Sequence, residues 1–202
     1  MYLFRFYSGT SKEKQTKANH DKCTAYLDFQ FNISSDPQIN YTSVAVASNA
    51  SRISKYWGRQ LAQFISEDFA VPIGGNNGIL IGGENGKNEL DLIYTHMPAI
   101  LALPLFISNP LHVTWIKDKS LQFQLARNLA KSIYSTFPNG GSFAVTASSY
   151  TSEEYKQIKL LFATEDPVNY AKMILRQTCI MLQSQINSSI ENYRTKLSTD
   201  RS

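Results

Sequence analysis

Three histidines (His20, His96, His112) and two cysteines (Cys23, Cys179) are the soft-donor side chains of this 202-residue chain. A catalytic zinc site takes three protein ligands, leaves one position open for water, and needs a nearby acid/base to move the proton. The histidines fall in no H-E-x-x-H or H-x-H pairing. Asp28, Glu84 and Glu89 could supply carboxylate ligands, but their spacing does not predict convergence on one ion. For a covalent mechanism there is no G-x-S-x-G elbow. There is no C-x-x-C pair either, so the cysteines predict reduced, partly buried thiols, with a single disulfide left open. Gly82 to Asn88 lacks the spacing and the hydroxyl of a phosphate-binding loop. Together with Gly74-Gly75-Asn76-Asn77-Gly78 it predicts a pair of turns around a short strand or hairpin at Ile79-Leu80-Ile81.

The elements that must position these groups are organised around Met97–Pro110, the longest apolar run. It is too short to span a membrane and too rich in proline for a buried helix. It reads as a strand covered on both faces that ends at Pro104, which has no N–H for a sheet ladder. The segment after Pro104 turns over the strand's carboxyl end, where open α/β sheets place their sites. Residues 2–7 read as a first strand, and residues 11–24 as a charged helix whose Lys12–Lys17 run is a solvated face. In residues 25–32, Leu27, Phe29 and Phe31 alternate with Asp28, Gln30 and Asn32, which places the two sets on opposite faces of a strand. Residues 42–48 read as a strand, Ser51 as the cap of a helix over 52–68, and 120–136 as an amphipathic helix. The fold class expected is α/β, a three-layer α/β/α arrangement with a mostly parallel central sheet and a C-terminal helical extension.

Several of these segments carry a resemblance. Met97, Pro98, Ala99, Ile100, Leu101, Phe106, Ile107, Ser108 and Asn109 resemble the closing strand of the zinc-dependent N-acetylmuramoyl-L-alanine amidases, which cleave peptidoglycan. Ala18-Asn19, the 25–32 strand, the serine-led helix, Asn88–Tyr94 and Ser108-Asn109-Pro110 follow the family's order. The resemblance implies a cleft lined by Asp28, Gln30, Asn32, His96, Leu103 and Asn109. It also implies that Gln30 stands where the family has a zinc-binding histidine, and Leu103 where it has the catalytic glutamate. The family's first zinc histidine has no counterpart in the Tyr7-Ser8-Gly9-Thr10 turn. For His20 and His96, surface and loop histidines are the plain alternatives.

Composition excludes other classes. With 43% hydrophobic and 12% aromatic residues the chain is globular, not disordered. A net charge of +4, with no interleaving of arginine and aromatics, argues against nucleic acid. Met1–Gly9 lacks the pattern of a secretory signal, so a cytoplasmic chain is expected as synthesised, released by lysis or by another machine. The resemblance fades after residue 137, dividing the chain into an amidase-like domain at 1–138 and an extension at 139–202. In the extension, 142–146 reads as an edge strand, Thr151 and Glu154 as a capping box, and 166–197 as a long helix. Leu175, Cys179, Leu182, Ile186, Ile190, Tyr193 and Leu197 recur there at steps of three and four, as a packing face or one for a protein partner or self-association. The expected function is a non-catalytic amidase-like module that binds peptidoglycan fragments or a protein and carries no cofactor. The alternative is a phage- or prophage-type lysin with rewired ligands, for which zinc would be required.

Overall fold

The computed structural model describes residues 2–82 and 90–147. Among them ten elements succeed one another: β1 (Tyr2–Phe6), α1 (Ser11–His20), β2 (Ala25–Phe29), β3 (Ser43–Val46), α2 (Arg52–Phe69), β4 (Ile79–Ile81), β5 (Ala99–Leu103), α3 (Pro110–Lys117), α4 (Lys119–Thr136) and β6 (Gly141–Ala147). The strands form one sheet in the order β1-β6-β2-β5-β3-β4. β1, β6, β2 and β5 are mutually parallel, β3 is antiparallel to β5, and β4 is parallel to β3. This is a mostly parallel α/β sheet of the expected class.

The run over 97–110 behaves as its composition requires. All five residues of β5 are buried, because both faces of the strand are covered. On one face Ile100 and Ala102 join Leu27, Phe29, Phe143 and Val145 under α2 and α4. On the other face Leu101 and Leu103 join Tyr26, Ala45 and Ala144 beneath Ala18 of α1 and Leu92. α2 starts at its Ser51 cap as expected, and the Ser51 side chain accepts from Ser54 N. Gly58 lets that helix lie close to the sheet: a Cβ there would come within 2.6 Å of Ile79 Cδ1. α2 and α4 are tied by Trp57 Nε1, which donates to Ser132 Oγ at 3.0 Å in the core.

Three expectations are corrected. The strand foreseen at an edge over 142–146 is β6, and it lies inside the sheet between β1 and β2. Phe143, Ala144, Val145 and Thr146 are all buried, as a strand covered on both faces must be. The sheet therefore continues past the boundary expected at residue 138. Residues 110–117, to which the sequence assigned no element, form α3, with Asn109 as its cap and Pro110 in its first turn. The charged run of α1 is not wholly solvated, since Lys14 and Gln15 are buried. The capping box and long helix expected at 151–197, and with them the C-terminal extension and Cys179, lie outside the described residues. Cys23 carries a free, buried thiol.

Candidate functional site at the carboxyl ends of β2, β5 and β6

Because β1, β6, β2 and β5 run the same way, their carboxyl ends share one edge of the sheet. β2 and β5 are in register from Tyr26↔Ala99 to Phe29↔Ala102. Gln30 N extends this ladder by donating to Ala102 O at 3.0 Å, which sets Gln30 beside Leu103. Successive side chains alternate between faces, so Tyr26, Asp28 and Gln30 point to the α1 side with Leu101 and Leu103. After Pro104 pairing resumes: Asn32 N donates to Leu105 O at 2.8 Å and Ile107 N to Asn32 O at 2.9 Å. The Asn32 side-chain oxygen accepts from Ile33 N and turns the chain out of the strand. The structure thus brings Asp28, Gln30, Asn32 and Leu103 to one edge.

Their chemistry differs in kind. Leu103 is buried and apolar. Gln30 is half-buried and carries a neutral carboxamide. Asp28 is completely buried, and its Oδ2 lies 3.3 Å from the Lys14 ammonium of α1. Its Oδ1 accepts from Phe29 N at 3.0 Å. Lys14 also donates to Ala147 O, at the end of β6, over 3.1 Å. α1 delivers Lys14 there because its start is fixed by a capping box, in which Thr10 Oγ1 accepts from Glu13 N and Glu13 accepts from Thr10 N. These bonds hold the Glu13 carboxyl below its ordinary range. The next residue, Gln15, anchors the 90–94 segment by donating to Leu90 O at 2.7 Å and accepting from Tyr94 N at 2.8 Å.

Asn109 borders the same edge but works as a cap. Its Oδ1 accepts from Leu111 N and His112 N, and its Nδ2 donates to Ile39 O at 3.1 Å. His112, one turn into α3, is buried and fixes the loop after β5. Its Nδ1 accepts from Phe106 N at 2.9 Å, which leaves the proton on Nε2, facing Asn40 Oδ1 at 2.8 Å. The ring stacks on Trp115 with centroids 5.1 Å apart. Burial pulls its pKa down from 6.5 to about 4, so the imidazole is neutral.

His96 stands apart from this set. It precedes β5 at the opposite edge of the sheet, where its N–H donates to Asn19 Oδ1. There it borders a cavity of about 360 Å³ formed with Met97, Pro98, Ala47, Ser51 and Ile53, at the amino end of α2. His20 is exposed and pairs with Asp21 at 3.0 Å. Among the described residues no three His, Cys, Asp or Glu side chains converge on a common point. A carboxamide, a leucine and a carboxylate already held by an ammonium do not fit a zinc ion.

In the sequence Lys14 and Gln15 read as part of a solvated run, and His112, counted among the soft donors, was given no role. Thr10-x-x-Glu13 is a readable start signal that places residues 11, 14, 15 and 18 on one face of α1, but that face is polar, and hydropathy assigns it to water. Asn109-Pro110 is likewise a readable helix start, and it puts His112 on the first turn of α3.

The sequence matches no family model and no curated protein. Among solved structures, the fold is similar to the catalytic domain of CwlV, an N-acetylmuramoyl-L-alanine amidase from Bacillus (Paenibacillus) polymyxa var. colistinus. The TM-score is 0.55 at 19% identity, over 65% of this chain and 68% of that one. An N-acetylmuramoyl-L-alanine amidase of Clostridium difficile 630 gives 0.55 at 18%, over 64% and 66%. The CwlD amidase of Clostridioides difficile, in complex with the GerS lipoprotein, gives 0.51 at 12%, over 63% and 61%. The chain thus spans about two thirds of the length of these neighbours. Its described residues have the catalytic-domain fold of N-acetylmuramoyl-L-alanine amidases, and at these identities the likeness is one of fold.

Proposed function

We propose that this chain is a non-catalytic amidase-like module that binds or assembles at the site where its fold neighbours cleave. The observation that supports this most directly is the pairing of Gln30 with Leu103 at the carboxyl ends of β2 and β5. The resemblance expects a zinc-binding imidazole at the first position and a proton-carrying carboxylate at the second. A neutral amide is a poor zinc ligand, and an alkyl side chain transfers no proton. Fold and chemistry separate readily, because a scaffold outlasts the few side chains that make it an enzyme.

The ligand classes that suit this reading are peptidoglycan fragments and a protein partner. Self-association through residues 166–197 is a further part of it, supported by their apolar spacing of three and four. A fold neighbour, CwlD, is itself found in a complex with a lipoprotein. Incubation with purified cell-wall sacculi tests the proposal. Co-sedimentation without release of peptide, unchanged by a chelator, is expected; release that a chelator abolishes refutes it. Such release would instead support a lysin with rewired ligands, a reading that must recruit the Asp28 carboxylate away from Lys14. Light scattering on the full chain and on Leu182→Asp/Ile186→Asp tests self-association, and an identical mass for both argues against it.

A further inference from the structure

We infer that the cavity beside His96, at the amino end of β5, is a binding site separate from the edge that holds Gln30 and Leu103, and that it takes small uncharged molecules pairing an amide with a short apolar group. β3 is antiparallel to β5, so its last residues and the Ser51 start of α2 lie beside the first residues of β5. Between them opens the cavity of about 360 Å³, a volume within the range of small-molecule sites. Bonds to the rest of the fold fix its walls. Ser54 Oγ accepts from Ala99 N at 3.1 Å, and Pro98 O accepts from Tyr26 N at 2.9 Å. His96 N donates to Asn19 Oδ1 at 2.9 Å, and Ala50 N donates to Ala47 O at 3.0 Å. The cavity is therefore preformed, as small-molecule sites usually are.

The lining decides what it takes. Ile53, Met97 and Pro98 offer apolar surface, and Asn49, Thr95 and His96 offer polar groups. Among the described residues no acid, lysine or arginine lines it, so a charged ligand would lose hydration with no opposite charge to offset the loss. The Asn49 carboxamide and the His96 ring nitrogens are not bonded to other described residues. Thr95 Oγ1 donates to Leu92 O at 2.8 Å and keeps lone pairs to accept. A ligand amide presents an N–H and a C=O together and so suits these groups, while its methyl or methylene substituent suits Ile53, Met97 and Pro98. Acetamido sugars and neutral peptides both carry that chemistry.

Amide chemical-shift mapping by NMR on the full chain tests this, with N-acetylglucosamine and N-acetylalanine methylamide as probes and with glucose and acetate as controls. Saturable shifts centred on residues 47–54 and 95–99 are expected with at least one amide probe and with neither control. The probe that binds identifies sugar or peptide as the source. Ala50→Phe, which fills the cavity, should abolish the shifts. If Ala50→Phe does not fold, His96→Ala decides: its side chain is exposed, and its loss should weaken binding of the probe severalfold. The inference is overturned by no saturable shift with either probe, by equal binding of acetate or glucose, by shifts centred elsewhere, or by binding that the deciding variant leaves unchanged. Chelator-sensitive release of peptide from sacculi would refute the non-catalytic reading above and leave this inference standing, so the two failures are distinct.

Discussion

Acidification should weaken this fold through His112, by an amount that the structure sets. The imidazole is fully buried, accepts from Phe106 N through Nδ1, and faces Asn40 Oδ1 through Nε2. Protonating Nδ1 destroys the first bond and leaves a buried cation against a backbone N–H. Its pKa is lowered from 6.5 to about 4 in the fold, so between these values the unfolded chain takes up a proton that the folded chain refuses. Stability from this residue is therefore complete above ~pH 7 and falls as pH drops. At about 1.4 kcal/mol per pH unit the loss reaches at most about 3 kcal/mol below ~pH 4, of which about 2 kcal/mol is gone by ~pH 5. Urea denaturation of the wild type and of His112→Gln from pH 7.5 to 4 measures it. Glutamine keeps an acceptor and a donor but does not titrate, and carboxylates held low, such as Asp118 and Glu13, cancel in the comparison. The stability gap between the two proteins should shrink as pH falls. A gap that stays constant from pH 7.5 to 4.5 would refute the assignment of His112 as a neutral clamp on the loop after β5.

Other perturbations give equally definite outcomes. Leu103→Glu places a carboxylate at a site only 4% exposed and should cost several kcal/mol in urea denaturation; a neutral effect would mean that this position opens to water. Ser132→Ala leaves the buried Trp57 N–H without its acceptor and should cost about 1–3 kcal/mol, read as a lower urea midpoint at unchanged slope. Asn109→Ala removes the cap of α3 and the bond to Ile39 O, for a loss of about 1–2 kcal/mol by the same measurement. A chain ending at Phe137 lacks β6, an interior strand of the sheet, and should show no cooperative melt by circular dichroism.

The sheet was legible where both faces are apolar and a proline closes the strand, as at Ala99–Leu103 with Pro104. It was equally legible where a serine or threonine cap precedes a periodic stripe, as at Ser51 before α2. The order of strands was not legible: β6 pairs with residues 2–6 and 25–29, far away in sequence, and nothing local in Gly141–Ala147 separates an edge strand from an interior one. Apart from the edge strand's position, the largest difference concerns polar burial. Lys14, Gln15 and His112 are satisfied inside the protein by partners such as Asp28, Leu90 O and Phe106 N, which only the folded chain brings near. Periodicity counts such residues as surface, because it registers hydropathy and not hydrogen-bond partners. The adjacency of Gln30 and Leu103 follows from strand register, and the alternation in residues 25–32 foreshadowed the face they share.

The central claim is that the edge formed by Gln30, Leu103 and the Lys14–Asp28 pair holds no catalytic metal. Elemental analysis of the purified full chain, after dialysis in zinc and gel filtration, tests it most directly. The account predicts zinc far below one atom per chain, with Gln30→Ala leaving that content unchanged. One tightly held zinc per chain that is lost in Gln30→Ala or Asp28→Asn would contradict it.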